Sequence, residues 1–127
     1  MLTGKHINKL IAENIPVFKG HISPIFTTDV DSDSVIYFIK PVDSEVISQI
    51  QLEIRVICSD YDDLEAYTEQ ITNLFTTNEN KSSIVVDDVS FRGGLSGGGT
   101  LFRDDLQLYE NTMFFSLKVK NEGGIKQ

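Results

Sequence analysis

Five of the nine glycines in the chain fall within FRGGLSGGGTLFRDD, residues 91–105, where the sequence comes nearest to a chemical motif. A GxxxxGK[ST] phosphate loop needs a preceding strand, glycines whose backbone N–H groups face the phosphates, and a lysine that meets the outer ones. Gly94 and Gly99 have the required separation, and IVVDDVSF, residues 84–91, reads as a strand before them. Thr100 stands where the lysine belongs. The following LFRDDLQLY lacks a 3.6-residue period, so no helix N-terminus is offered to an anion. The dinucleotide pattern GxGxxG occurs at no offset. Phosphate binding is therefore set aside, and the glycines read as a mobile link between two strands, because glycine carries high backbone entropy. Arg92 and Arg103, with Asp104 and Asp105, put both signs of charge at its edges, as a docking arm would. The interface residues expected on this reading are Arg92, Gly93, Gly94, Leu95, Arg103, Asp104 and Asp105.

The other chemical candidates are weaker. Asp29, Asp31 and Asp33 alternate as in a calcium loop, but that pattern needs glycine at its sixth position and glutamate at its twelfth. Counting from Asp29, those positions are Ser34 and Lys40. Asp87–Asp88 and Asp104–Asp105 have no histidine, lysine or serine at a recognisable catalytic spacing. Adjacent acids on a strand point to opposite faces, so neither pair forms a dyad. His6 and His21 lack a ligand spacing, and one cysteine, Cys58, makes neither a disulfide nor a thiolate metal site. Cys58 ends an apolar alternation and reads as a buried structural thiol. No enzyme, cofactor or metal site is expected.

The elements that must position these residues are legible from periodicity. TGKHINKLIAEN, residues 3–14, places Ile7, Leu10 and Ile11 on one helical face, with Thr3 as cap and Pro16 beyond the end. Extended pieces broken by Pro16, Gly20 and Pro24 follow, then an acidic loop over 27–34 and a buried strand, VIYFI, at 35–39. QIQLEIRVIC, residues 49–58, carries the clearest signal. Ile50, Leu52, Ile54, Val56 and Cys58 alternate with Gln49, Gln51, Glu53 and Arg55, so one face is buried and one polar. Residues 59–75 read as a second helix with Asp62 and Asp63 in its first turn, where negative charge suits the dipole. A polar loop at 76–83, the strand at 84–91 and a closing strand, TMFFSLKV at 112–119, complete the order, with 121–127 as a frayed tail. Few helices and sequence-adjacent strands predict one α+β domain over 1–120. Its sheet is mainly antiparallel, with two helices on one face and a long flexible hairpin loop over 91–105.

The chain has 127 residues and a formal net charge of -8. Such acidity argues against a binder of nucleic-acid backbone, which needs a basic stripe. No apolar run is long enough to span a membrane, the N-terminus does not read as a signal peptide, and a reducing cytoplasm is the expected compartment.

In order and pattern the chain resembles the tail terminator and minor tail proteins of long-tailed bacteriophages and prophages. The features are the first helix with its irregular sequel IPVFKGHISPIF, the strand near VIYFI, QIQLEIRVIC running into a helix through SDYDDLEAY, and a strand, long loop and closing strand MFFSLKV. The resemblance implies a homo-oligomer of six copies in a ring that caps the tail tube, ends its polymerisation and joins tail to head. Its partners would be itself, the tail tube protein and a head-completion protein, first in the host cytoplasm and then in the virion tail. The alternatives are a non-phage intracellular protein-binding module of the same fold class and, more remotely, a nucleotide-binding enzyme.

Overall fold

The alternation in QIQLEIRVIC becomes the central strand of the sheet. The computed structural model describes residues 2–25, 27, 32–41 and 47–121. In chain order the elements are α1 (Gly4–Asn14), a 3-10 turn (Pro16–Phe18), β1 (Ile22–Pro24), β2 (Ser34–Pro41), β3 (Ile47–Cys58), α2 (Tyr61–Phe75), β4 (Ile84–Val86), β5 (Val89–Arg103) and β6 (Leu108–Asn121). The six described strands make one sheet in the order β1-β2-β3-β6-β5-β4. Every pairing is antiparallel except that of β1 with β2. The expected single α+β domain, mainly antiparallel, is what the chain forms.

Both helices cover one face. α2 packs on β3, β5 and β6, and α1 packs on β1, β2, β4 and α2. Beneath them lie Ile50, Leu52, Ile54, Val56 and Cys58 of β3, and Met113, Phe115, Leu117 and Val119 of β6, all buried. Each β3 residue sits opposite a β6 partner, Leu52 facing Phe115 and Ile54 facing Met113. Phe75 from the end of α2 closes the core against Phe91 and Phe115, at 6.2 and 5.5 Å between ring centres. Burial of such aromatic area dominates a core of this size.

The ends of the helices follow the chemistry of their caps. The Thr3 N–H donates to His6 Nδ1 at 2.9 Å, giving one of the orphan donors at the start of α1 a partner. Asp60 caps α2 and Asp62 and Asp63 occupy its first turn, as expected.

Two elements differ from the sequence reading. Residues 84–91 are not one strand: Asp87 and Asp88 form the two-residue turn between β4 and β5, with Val86 opposite Val89 and Asp87 at φ 53°. Asp tolerates the left-handed region better than most residues. The turn is held from outside, by an ion pair of Lys9 with Asp87 and a 3.5 Å contact of His6 Nε2 with Asp88. Lys9 holds the Asp87 carboxyl below its usual range. Second, the glycine-rich segment is not a loop. Residues 89–103 are strand, paired with β6 from Val89 to Arg103 except at Ser96. The turn between them is residues 104–107, so β6 begins at Leu108 rather than at 112. A glycine-rich strand shows no period-two pattern, because that signal is carried by side chains while the ladder is made by the backbone. Asn121, expected as the start of a tail, is the last residue of β6, while 122–127 and residues 28–31 of the acidic stretch at 27–34 lie outside the described residues.

The packing makes a direct prediction about the central strand. Leu52→Ala should lower unfolding free energy by about 2–5 kcal/mol in urea titration, as core truncations do. Gln51→Ala, one position along on the polar face, should stay within about 0.5 kcal/mol.

Candidate interaction surface

Beyond Gly93, β5 is no longer packed into the core, while its partner β6 keeps Met113 and Phe115 buried beneath α2. Residues 94–107 are all exposed, and Leu95, Leu101, Phe102 and Leu106 are exposed large apolar side chains, at 50%, 58%, 42% and 46%. From Arg92 onward β5 has β6 on one side only, and Thr77 is the residue that meets its other edge. The Thr77 N–H donates to the Gly93 carbonyl at 2.9 Å. Its hydroxyl lies 3.3 Å from the Gly93 nitrogen. This close passage requires glycine, because a Cβ on residue 93 would sit 2.3 Å from the Phe75 carbonyl oxygen.

One extra residue changes what the rest of the hairpin faces. Leu95 lies opposite Phe115 but Gly97 lies opposite Phe114, so Ser96 is a bulge. Its hydroxyl donates to the Phe114 carbonyl at 3.1 Å. Before the bulge, Phe91, Gly93 and Leu95 share the helix side. After it, Gly98, Thr100 and Phe102 do, and Arg103 is turned to the polar face. The glycine at 98, with φ 153°, is also obligatory, since a Cβ there would lie 2.2 Å from the Thr112 carbonyl oxygen.

On the polar face Arg103 reaches Glu110. Arg103 Nη1 lies 3.4 Å from Glu110 Oε2, and Arg55 Nε lies 2.8 Å from Glu110 Oε1. The latter contact is off the N–H axis, so it is an ion pair rather than an aligned hydrogen bond. Arg55 also holds Glu53 at 3.1 Å, and Arg103 holds Asp105 at 3.6 Å. Glu110 is 8% exposed, and a carboxylate so buried needs partners, which here are two guanidinium groups. Ile36, Ile57, Leu106 and Leu108 surround the pair. On the helix side Tyr109 bridges Phe102 and Tyr61, at 4.9 and 5.4 Å between ring centres.

The expected interface residues are thus divided. Arg92, Gly94 and Leu95 are on the surface of β5, and Gly93 is spent on the passage beside α2. Arg103 and Asp105 are tied to one another, and Arg103 also to Glu110 within the chain. The Asp104 carbonyl accepts from Gln107 Nε2 at 2.8 Å in the turn. Sequence reasoning missed Glu110, Arg55 and the cations of β6. The alternation of β6, read only from residue 112, would have reached Glu110 if extended by one step. Among the described residues no group of His, Cys, Asp or Glu could hold a metal ion. Cys58 is buried with its thiol donating to the Asp60 carbonyl at 3.1 Å, and burial pushes its pKa up to about 11.

No protein-family model matches the chain, and no curated protein matches it. Among solved structures, a chain of the virion of a native gene transfer agent particle shares the fold. That match has a TM-score of 0.60 and 6% identity, over 92% of this chain and 96% of that one. A second solved protein matches with a TM-score of 0.63 and 12% identity, over 92% of this chain and 89% of that one.

Two outcomes are expected from this geometry. Gly93→Ala should destabilise by about 1–3 kcal/mol in denaturant titration, because backbone must shift to admit the methyl group. Gly94→Ala, with nothing within 4 Å of its added Cβ, should be neutral or stabilising by up to about 1 kcal/mol. The Cys58 thiol, with roughly a hundredfold less thiolate than an ordinary cysteine at pH 8, should react with iodoacetamide only under denaturing conditions, as followed by intact mass.

Proposed function

We propose that this chain is a structural subunit of a phage-like particle, acting as a tail terminator. In this reading several copies, six by the family pattern, close into a ring at the head-proximal end of the tail tube, stop its growth and receive the head. The observation that carries the reading is the shared fold, end to end, with a chain of a gene transfer agent virion. The surface supports it. The distinctive feature of the described residues is a projecting hairpin with exposed apolar side chains and an open strand edge. Strand edges and apolar tips make contacts with other chains. Among the described residues the Cys58 thiol is buried and Glu110 is tied to two arginines. The partners would be further copies of the chain, the tail tube protein and a head-completion protein. The protein would sit in the host cytoplasm during assembly and in the virion tail afterwards.

Deleting the gene from a particle-producing genome should give overlong tails without heads in negative-stain electron microscopy. Normal particles from the deletion would end the terminator reading. Native mass spectrometry of the purified chain, alone and with isolated tail tubes, should show a closed oligomer, which a monomeric binding module would not form.

A further inference from the structure

The acidic chain is not uniformly acidic, and the two faces of its sheet carry opposite charge at opposite ends. At the β3 N-terminal end of the polar face, Arg92 of β5 and Lys118 and Lys120 of β6 stand together, exposed. They line two adjoining hollows of about 580 and 190 Å³, with Gln49, Gln51 and Ser116 beside them and no carboxylate among the described residues of either wall. The carboxylates that the strands do place on this face, Glu53 and Glu110, are both held by Arg55. None of the three cations makes an ion pair among the described residues.

The helix side carries the complement. α2 contains four acidic residues and no basic one, and Asp60 caps it. Between α2 and the hairpin lies a hollow of about 280 Å³ lined by Glu65, Glu69, Thr68, Thr100 and Asn111. Neither glutamate has a cation within the described residues. Two oxygens out of reach of solvent, Thr68 Oγ1 and Asn111 Oδ1, have no hydrogen-bond partner. Asn111 Nδ2 already donates to Thr100 Oγ1 at 2.8 Å, so its oxygen is the end left over. A buried acceptor without a donor is costly. Two carboxylates and two unmatched acceptors call for a group with several N–H donors and a positive charge, which is a lysine or arginine side chain.

We propose that this hollow receives a basic side chain of the Arg92–Lys118–Lys120 patch from a second copy of the chain, so that copies join head to tail. The occupant follows from charge complementarity between two surfaces of one molecule. The arrangement also follows. Asn111 and Lys118 are seven positions apart on β6 and point to opposite faces, about 23 Å along the strand. Patches at opposite ends and on opposite faces cannot both be met in one two-fold pair, whereas a heterologous contact repeats from copy to copy and closes if the rotation allows. Crowded acids gain from such a neighbour. Partial burial, followed by repulsion from Asp60 and Asp33, keeps the Asp63 carboxyl above its usual range in the lone chain.

This inference rests on the ring reading and specifies its contact, and the experiment separates the two. In the full-length chain, Glu65→Lys/Glu69→Lys and Lys118→Glu/Lys120→Glu should each raise the concentration for half-assembly by roughly tenfold or more, by sedimentation velocity at low salt. Mixing the two variants, or combining all four changes in one chain, should restore assembly, because each reversed patch then meets a reversed partner. Lys118→Gln/Lys120→Gln, which keeps side-chain length and introduces no new charge, should weaken assembly in the same direction if the charge-reversed chains fold poorly. Zero-length carbodiimide coupling of the wild-type oligomer should join Glu65 or Glu69 of one copy to Lys118 or Lys120 of another. An oligomer indifferent to all of these changes would overturn this contact and leave the ring reading standing. A wild-type chain that stays monomeric at every concentration, with and without tail tubes, would overturn both.

Discussion

One unpaired residue decides what the outer half of the hairpin presents. In a regular antiparallel ladder, side chains keep their face for the whole strand. Had β5 run on without the bulge at Ser96, Arg103 would face the helix side and Phe102 the polar side. Glu110 would then lose its second guanidinium, and Tyr109 would lose the ring that stacks on it. With the bulge, Thr100 comes to the helix side beside Asn111 and α2, and Arg103 to the other side beside Glu110. Both the ionic cluster and the acidic hollow are consequences of that single inserted residue. The bulge is in turn permitted by the run of small residues around it, since Gly98 is required where its amide plane passes Thr112.

A second constraint sets where the helix cover ends. The C-terminus of α2 comes down on β5 at Gly93, where only a hydrogen atom fits between the strand and the Phe75 carbonyl. Thr77 ties the two together through its N–H and its hydroxyl. Inward of this point β5 carries Val89 and Phe91 into the core. Outward of it β5 stands off from α2 across the hollow that Thr100 lines. The boundary between the packed body and the projecting hairpin is therefore a backbone contact rather than a change in hydrophobicity.

The inner body was legible because burial on one face forces side chains to alternate, and β3 shows this in four consecutive polar–apolar pairs from Gln49 to Val56. The two helices were legible for the same reason at a different period, and the cap of the first was named correctly at Thr3. The outer hairpin was not legible, because five glycines remove the side chains that would have revealed a strand. Backbone hydrogen bonding to β6 holds them regardless. Asp87–Asp88 misled in a related way: an acidic pair inside an apolar run looks like a strand interruption, and only the pairing of Val86 with Val89 shows it as a complete turn. Glu110 escaped notice because a carboxylate is expected in solvent, and its burial depends on arginines that are 55 and 7 residues away in sequence. Charge segregation was invisible in a total of -8, which sums over both ends of the sheet.

The open side of β5 bears on how the chain survives at high concentration inside a cell. An exposed strand edge is a template for any extended segment, and long flat edges nucleate fibres. Here the edge is short of the properties that fibre growth needs. Glycines at 94, 97, 98 and 99 offer no side chains for a dry zipper, and the bulge at Ser96 breaks the flat register that stacking requires. Arg92 and Arg103 flank it with charge. The same glycines that hide the strand from a reader of the sequence also hide it from misfolded neighbours, leaving an edge that only a partner shaped to the bulge can extend.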